Sequence, residues 1–369
     1  MLASLSTEPK SILIVKLSSI GDVIHSLPVA TALRRRFPEA QICWLVSRKA
    51  QEIVSGHPHL NQVIVVGGNG KDGTIPVPDV YHSLVISRVL GKFKFEVALD
   101  LQGLLRSALF SFLSGARVRI GYRSIREAAF LLYNERSIRP ARDQHIVEGY
   151  LRFAAILGAP VEPVEFHIAT NEQHEVRVDE LLAQAGVGRG DRMVAFAPCS
   201  TWRAKTWPVE RMALVAEHVA ARHGCVPVIV GSKADLPSAE AIISNCRAPA
   251  ISLAGKTDLK ELAVLLRRCA VMMGNDSGPT HLAAAVGRPV VAVYGPTDTR
   301  LLRPYGDQHI TIVAPVPCRP CRRRSRAEHC AHLSCLTEVH PAQVCAAMDR
   351  LLTTAASPPP PNDQAPLPK

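Results

Sequence analysis

"KLSSIGDVIHSLP", residues 16–28, directly follows the apolar run "ILIV". An apolar run that ends in a lysine, two serines and a glycine predicts a buried strand turning through a tight loop into a helix. Gly21 and the small hydroxyl residues let a backbone pass close to a ligand, and Asp22 falls where a carboxylate is exposed at the strand's carboxyl end. The stretch has the composition of a loop that holds something.

The same pattern recurs along the chain. Strand-like runs "SILIVKL", "AQICWLV", "NQVIVV" and "FEVALDL" form a first series, and "RMVAFAP", "CVPVIVG", "CAVMMG" and "PVVAVYG" a second, with helical patterns between them. This alternation predicts α/β architecture, with parallel sheets covered by helices on both faces. A polar stretch around residues 165–185 separates the series, so the expected domains are 1–175 and 176–355. The end, "TTAASPPPPNDQAPLPK", reads as a Pro-rich tail over 356–369 with no capacity for a core.

With 369 residues, 47% of them hydrophobic, the chain is too long for one ordinary core and suits two domains. A net charge of +11 implies an anionic partner: nucleic acid, a phosphorylated substrate or an acidic membrane surface. Aromatic residues make up only 5% and no RNA-recognition or helix-turn-helix signature is present, which argues against nucleic acid. No signal-peptide pattern opens the chain, and no uncharged apolar run approaches the roughly 20 residues of a spanning helix. The expectation is therefore a cytoplasmic protein whose ten cysteines are reduced.

Both common nucleotide signatures are missing. "KLSSIGD" lacks G-x-G-x-x-G, and "GGNGKDG" at 67–73 lacks the spacing of a Walker loop. In "FAPCSTWRAKTWPVERM", a strand leads to Ser200, Thr201, Arg203 and Lys205 before a helix from Pro208. Hydroxyls and cations after a strand suit a phosphate, with Lys205 as a point charge on it. "CAVMMGNDSGPTHLAAAVGRPVVAVYGPTD" reads strand, loop, helix, strand, and its Ser277–His281 segment would offer backbone N–H groups and a helix dipole to a diphosphate. Asp276 and Gly278 also suit a helix cap and a turn.

Taken in order, "ILIVKLSSIGDVIHSLP", "DLQGLLRSA", "HIVEGYLRFAAILG", "KTWPVERM", "NDSGPTHLAAAVGRPVVAVYGPTD" and "PYG" resemble the lipopolysaccharide heptosyltransferases of glycosyltransferase family nine over about residues 10–350. The resemblance implies a GT-B fold: two Rossmann-like domains with the active site in the cleft between them, and inverting transfer of heptose from an ADP-sugar. It implies Asp22 as the base that takes the acceptor proton. Donor binding would fall to Ser200, Thr201, Lys205, Asp235, Asp276, Ser277, Gly278, Thr280 and His281, with Lys205 on the diphosphate, Asp276 on heptose hydroxyls and Asp235 on the ribose. "GSKADLPSAE" departs from the family's glycine-rich pattern around Asp235. Cations and backbone donors can stabilise a leaving diphosphate, so the reading calls for no cofactor and commits no metal.

Arg106, Arg126 and His145 resemble acceptor-binding positions for Kdo-lipid A, the octulosonic acid inner core, and "LYNER" and "QHIVEG" lean towards the first heptosyltransferase over the second. A lipid-linked acceptor implies peripheral attachment at the cytoplasmic face of the inner membrane, which a basic surface favours. Arg34 to Arg36 read as a solvated helix end. A nucleotide-sugar epimerase and a non-catalytic binding protein are the rival classes. Cys318, Cys321, Cys330 and Cys335, with His329 and His332 among them, suit either a zinc or iron–sulfur site or a set of packed thiols on a basic loop.

Overall fold

The computed structural model describes residues 8–67, 75–77, 83–123, 126–140, 143–321 and 324–354. The stretch "GGNGKDG" beyond Gly67 and the tail 356–369 lie outside the described residues. The chain forms two compact units, Met1–Ala169 and Thr170–Lys369, dividing a few residues before the boundary drawn from the sequence. The helix Glu172–Gln184 is tied within the second unit by Arg268, which pairs with Glu175 at 2.6 Å and Asp179 at 2.5 Å.

Among the described residues, the first unit has a wholly parallel sheet ordered β4-β3-β2-β1-β5-β6-β7. Its strands are β1 Ser11–Val15, β2 Gln41–Ser47, β3 Gln62–Val66, β4 Ile75–Val77, β5 Val97–Asp100, β6 Val118–Tyr122 and β7 Glu135–Ile138. β1 is buried at every residue because it is central and covered on both faces, which is why "SILIV" carries no polar alternation. The second unit repeats the plan, in the order β10-β9-β8-β11-β12-β13. These are β8 Met193–Ala197, β9 Val226–Ile229, β10 Ile251–Ser252, β11 Val271–Asn275, β12 Val290–Val293 and β13 Ile310–Ile312. Both orders are Rossmann-like, and the two-sheet α/β class expected from the sequence is what the chain adopts.

In each sheet the chain starts centrally, winds to one side and returns to wind to the other. The reversal lies between β1 and β5 in the first unit and between β8 and β11 in the second. Loops leaving neighbouring strands at such a point diverge to opposite faces and open a crevice at the strands' carboxyl ends, where ligands bind in open α/β sheets. The topology thus singles out the loops after β1, β5, β8 and β11.

Arg34 to Arg36 differ from the expected solvated helix end. Arg34 donates to Ala40 O at 2.8 Å and Asn61 Oδ1 at 2.6 Å, Arg35 pairs with Glu165 at 2.6 Å, and Arg36 pairs with Glu8. Helix-end carbonyls and two carboxylates lie within reach of these side chains, and the fold uses them.

Candidate active-site loops

In the first unit, Asp22 is the third residue of the helix Ile20–Arg36. Ser19 is the cap, and Asp22 reaches back to it: Oδ2 accepts from Ser19 N at 3.2 Å and Ser19 Oγ at 2.9 Å. This reciprocal turn locks the carboxylate's rotamer. Its other oxygen, Oδ1, faces the hydroxyl of Tyr150 at 3.4 Å, and that hydroxyl accepts from Lys16 Nζ at 2.9 Å. Lys16 is 3% exposed, so it sits beneath Asp22 and out of solvent. Burial pulls its ammonium below the usual lysine range, against the opposing pull of Asp22 and Asp100.

Asp100, at the end of the neighbouring β5, is fully buried and accepts from Tyr133 Oη at 2.6 Å, Gln102 N at 2.9 Å and Gly103 N at 3.1 Å. Burial raises its pKa and these donors oppose the rise. Gln102 Oε1 in turn accepts from Leu17 N and Ser18 N, both at 3.2 Å, and so pins the loop that carries Asp22. The sequence reading passed over Lys16, Asp100, Tyr133 and Tyr150 as functional residues. A charged residue closing an apolar run, as in "VALD" and "ILIVK", was the available signal.

Arg106 is exposed on the helix Leu105–Leu113, and the side chain of Arg126 lies outside the described residues. His145 is 6% exposed and caps the helix Ile146–Ala155, its Nδ1 accepting from Val147 N at 3.2 Å. That helix carries Tyr150, whose hydroxyl faces Asp22.

In the second unit, Asp276 leaves β11 and is the hub of the other crevice, 6% exposed. Lys205, from the loop after β8, places Nζ 2.5 Å from Asp276 Oδ2 and 4.9 Å from the Trp202 ring. Thr297 Oγ1 donates to the same oxygen at 2.5 Å, and His281 Nε2 lies 3.5 Å from Oδ1. Burial alone would raise the Asp276 pKa; the His281 hydrogen bond and the Lys205 charge overcome it and hold the carboxyl down at about 2. Ser200 Oγ donates to Asp276 O at 2.7 Å, joining the loops after β8 and β11.

Asn275 reinforces the join: its Nδ2 donates to Pro198 O at 2.6 Å while its Oδ1 accepts from Trp207 N at 3.0 Å. Ser277 caps the helix Gly278–Ala285 without a side-chain bond to its backbone, its Oγ lies 3.3 Å from Thr280 Oγ1, and Thr280 Oγ1 donates to Asn275 O at 2.6 Å. A helix N-terminus and an ammonium therefore face one crevice, the pairing that attracts a phosphate. Thr201 is exposed beside Ser200. Asp235 lies past β9, with Oδ2 accepting from Ser232 N at 2.7 Å and Ser232 Oγ at 2.9 Å, and its charge reaches Cys199 after β8.

The four clustered cysteines are all free thiols, Cys335 being buried and pushed up to about 11 by burial and by the neighbouring thiols. Among the described residues one His/Cys/Asp/Glu trio brings its ligand atoms within 4.8 Å, His218, His223 and Asp349, and it lies outside this cluster.

The family model for glycosyltransferase family 9 (heptosyltransferase) matches residues 84–332, more than half of the chain. The chain belongs to glycosyltransferase family 9. Within family 9 it is 27% identical over 303 residues to the lipopolysaccharide core heptosyltransferase OpsX of Haemophilus influenzae, covering 81% of this chain and 83% of that protein. It is 29% identical to lipopolysaccharide heptosyltransferase 1 of Pseudomonas aeruginosa, covering 85% and 86%. A crystal structure of a family 9 glycosyltransferase from Veillonella parvula superposes with a TM-score of 0.81 at 23% identity, covering 93% and 97%. E. coli heptosyltransferase WaaC with ADP superposes at 0.67 and 25% identity, covering 92% and 99%. The enzyme is thus a family 9 glycosyltransferase, of the fold expected from its motifs.

Proposed function

We propose that this enzyme transfers L-glycero-D-manno-heptose from ADP-heptose, with inversion, to the Kdo of Kdo-lipid A, the step of a first lipopolysaccharide heptosyltransferase. The observation that carries the reading is the pairing of Lys205 with Asp276 at the N-terminus of the Gly278–Ala285 helix, at the β8/β11 switch point. An ammonium has three donors, so Asp276 takes one and orients the rest towards a diphosphate. In this reading Asp276 sets Lys205, and its share in holding heptose hydroxyls is limited by its burial.

Asp22 takes the proton of the acceptor hydroxyl as the oxygen bonds to the anomeric carbon from the face opposite the diphosphate. The bond from that carbon to the ADP oxygen breaks, and its electron pair stays on the diphosphate. Lys205 and the helix N-terminus stabilise that charge as it develops. Ser200, Thr201, Ser277, Gly278, Thr280 and His281 line or shape the donor loops, and Asp235 is assigned to the ribose.

An amphiphilic acceptor fits the first unit's surface. Leu105 and Phe112 on the helix Leu105–Leu113, Leu131 on the adjoining segment Arg126–Leu132, and Leu84 and Val85 on the packed helix Ser83–Gly91 are all exposed. With the net charge of +11, such apolar side chains support peripheral attachment to an anionic membrane face. Among the described residues no helix is long and apolar enough to cross a membrane.

The test is transfer from ADP-L-glycero-D-manno-heptose to heptose-free Kdo-lipid A, read by mass spectrometry. Gain of one heptose supports the proposal. Activity only on an acceptor already bearing heptose would reassign the enzyme as a second heptosyltransferase, and conversion of ADP-heptose without acceptor would point to epimerisation.

A further inference from the structure

Away from both crevices, three side chains with metal-ligand chemistry converge on the second unit. His218 and His223 lie towards the end of the helix Val209–His223, and Asp349 lies on the helix Pro341–Thr354 packed beside it. The two imidazole Nε2 atoms stand 2.8 Å and 2.7 Å from the same oxygen, Asp349 Oδ1. Arg222 Nε lies 3.4 Å from the other carboxylate oxygen and holds the group so that Oδ1 faces the rings. His218, His223 and Asp349 are 27%, 14% and 26% exposed, enough shelter to order the side chains while leaving a path for an ion.

Two imidazoles directed at one carboxylate oxygen form a donor set with one vertex missing. A tetrahedral zinc ion binds nitrogen and carboxylate oxygen at about 2.0–2.2 Å, which places its ligand atoms roughly 3.3 Å apart. The trio already lies within 4.8 Å, so small side-chain rotations would open the pocket to that geometry. Two nitrogen ligands favour zinc and its transition-metal neighbours over calcium or magnesium, which prefer all-oxygen sites. Arg222 is 65% exposed, so water screens its charge from an incoming cation.

We infer that His218, His223 and Asp349 form a zinc-type divalent-metal site that clips the C-terminal helix to the helix Val209–His223. Water completes the coordination. The C-terminal helix is otherwise held by Val344, Ala347, Met348 and Leu352 in the core, and the clip adds a cross-link on the outer side of that contact. Asp349 serves as the bridge between helices, and the site stands apart from the transfer chemistry.

The probe is Zn2+ itself, added to chelator-stripped full-length protein, with bound metal counted after dialysis and amide hydrogen exchange followed in residues 341–354. The clustered thiols at 318–335 take up any zinc they bind equally in wild type and variant, so the difference between the two is the readout. Wild type is expected to hold one equivalent more than His223→Gln or Asp349→Asn, and Zn2+ should slow exchange in the C-terminal helix at least tenfold in wild type alone. Should either variant fail to fold, His218→Gln, at the more exposed ring, carries the same comparison. Equal zinc content in wild type and variant, or exchange in residues 341–354 unmoved by Zn2+, overturns the inference.

Discussion

Lys205 Nζ stands 2.5 Å from Asp276 Oδ2, and the two residues come from different loops that only the parallel pairing of β8 with β11 brings together. The pair is 17% and 6% exposed, so each charge depends on the other for its solvation. Lys205→Ala is expected to weaken ADP binding at least tenfold by calorimetry and to cost about 3 kcal/mol of stability, the penalty for stranding one member of a buried pair. Undiminished ADP affinity would remove Lys205 from the donor site.

The depressed Asp276 carboxyl makes a signed prediction for acid stability. Its pKa falls from 3.8 to about 2 on folding, so its contribution is fully present above pH 3.8 and is lost as pH falls through 2. The size is about 2 kcal/mol. In urea titrations, Asp276→Asn should flatten the stability profile across that window; an unchanged slope there would show that the pairing is not formed in solution.

Asp22→Asn retains an oxygen for Ser19 but cannot accept the acceptor proton. The expected result is a fall in kcat of about 10²- to 10⁴-fold with ADP affinity unchanged. Tyr150→Phe, which removes the hydroxyl between Lys16 and Asp22, should lower kcat less and shift the pH–rate profile. A merely structural Tyr150 would lower stability and leave that profile in place.

His57 predicts a second acid-sensitive window, in the first unit. It is 3% exposed, its Nε2 has no hydrogen-bond partner, and its ring lies 5.6 Å from His59 and 5.8 Å from His167. Burial first, and then those two imidazoles, push its pKa from 6.5 down to about 3. At the neighbouring His59, burial, His167, Arg34 and Arg35 push the imidazole pKa down, and Glu165 opposes them. Stability is therefore intact above pH 6.5 and falls by on the order of 4 kcal/mol as pH drops towards 3. His57→Phe should reduce that slope in the unfolding of the first unit, measured by hydrogen exchange.

Gly121 on β6 lies against Tyr133, the residue that donates to Asp100. A Cβ there would meet Tyr133 Cε2 at 2.2 Å, and Tyr133 is 2% exposed with nowhere to move. Gly121→Ala should cost about 1–3 kcal/mol in urea unfolding through overpacking, with a loss of activity through Asp100 and its loop.

What the sequence determined by itself was local. The runs at β1, β2, β3, β5, β8, β9, β11 and β12 are legible because strands buried on both faces need unbroken apolar residues, and the loops after β1 and β11 are legible because small residues and a carboxylate interrupt those runs abruptly. β4, β10 and β13 are short and sit at or next to sheet edges, and "VRIGY" and "ERSI" of β6 and β7 mix charge with apolar residues, so no periodicity betrays them. Only the tertiary structure decided the strand order, and with it the switch points where Asp22 and Asp276 lie. It also decided the supporting contacts: Lys16 meets Tyr150 from 134 residues away and Asp276 meets Lys205 from another loop. Residue spacing carries no record of such partners, because they are set by which strands lie side by side and by the need of each buried charge for an opposite charge or a hydrogen bond.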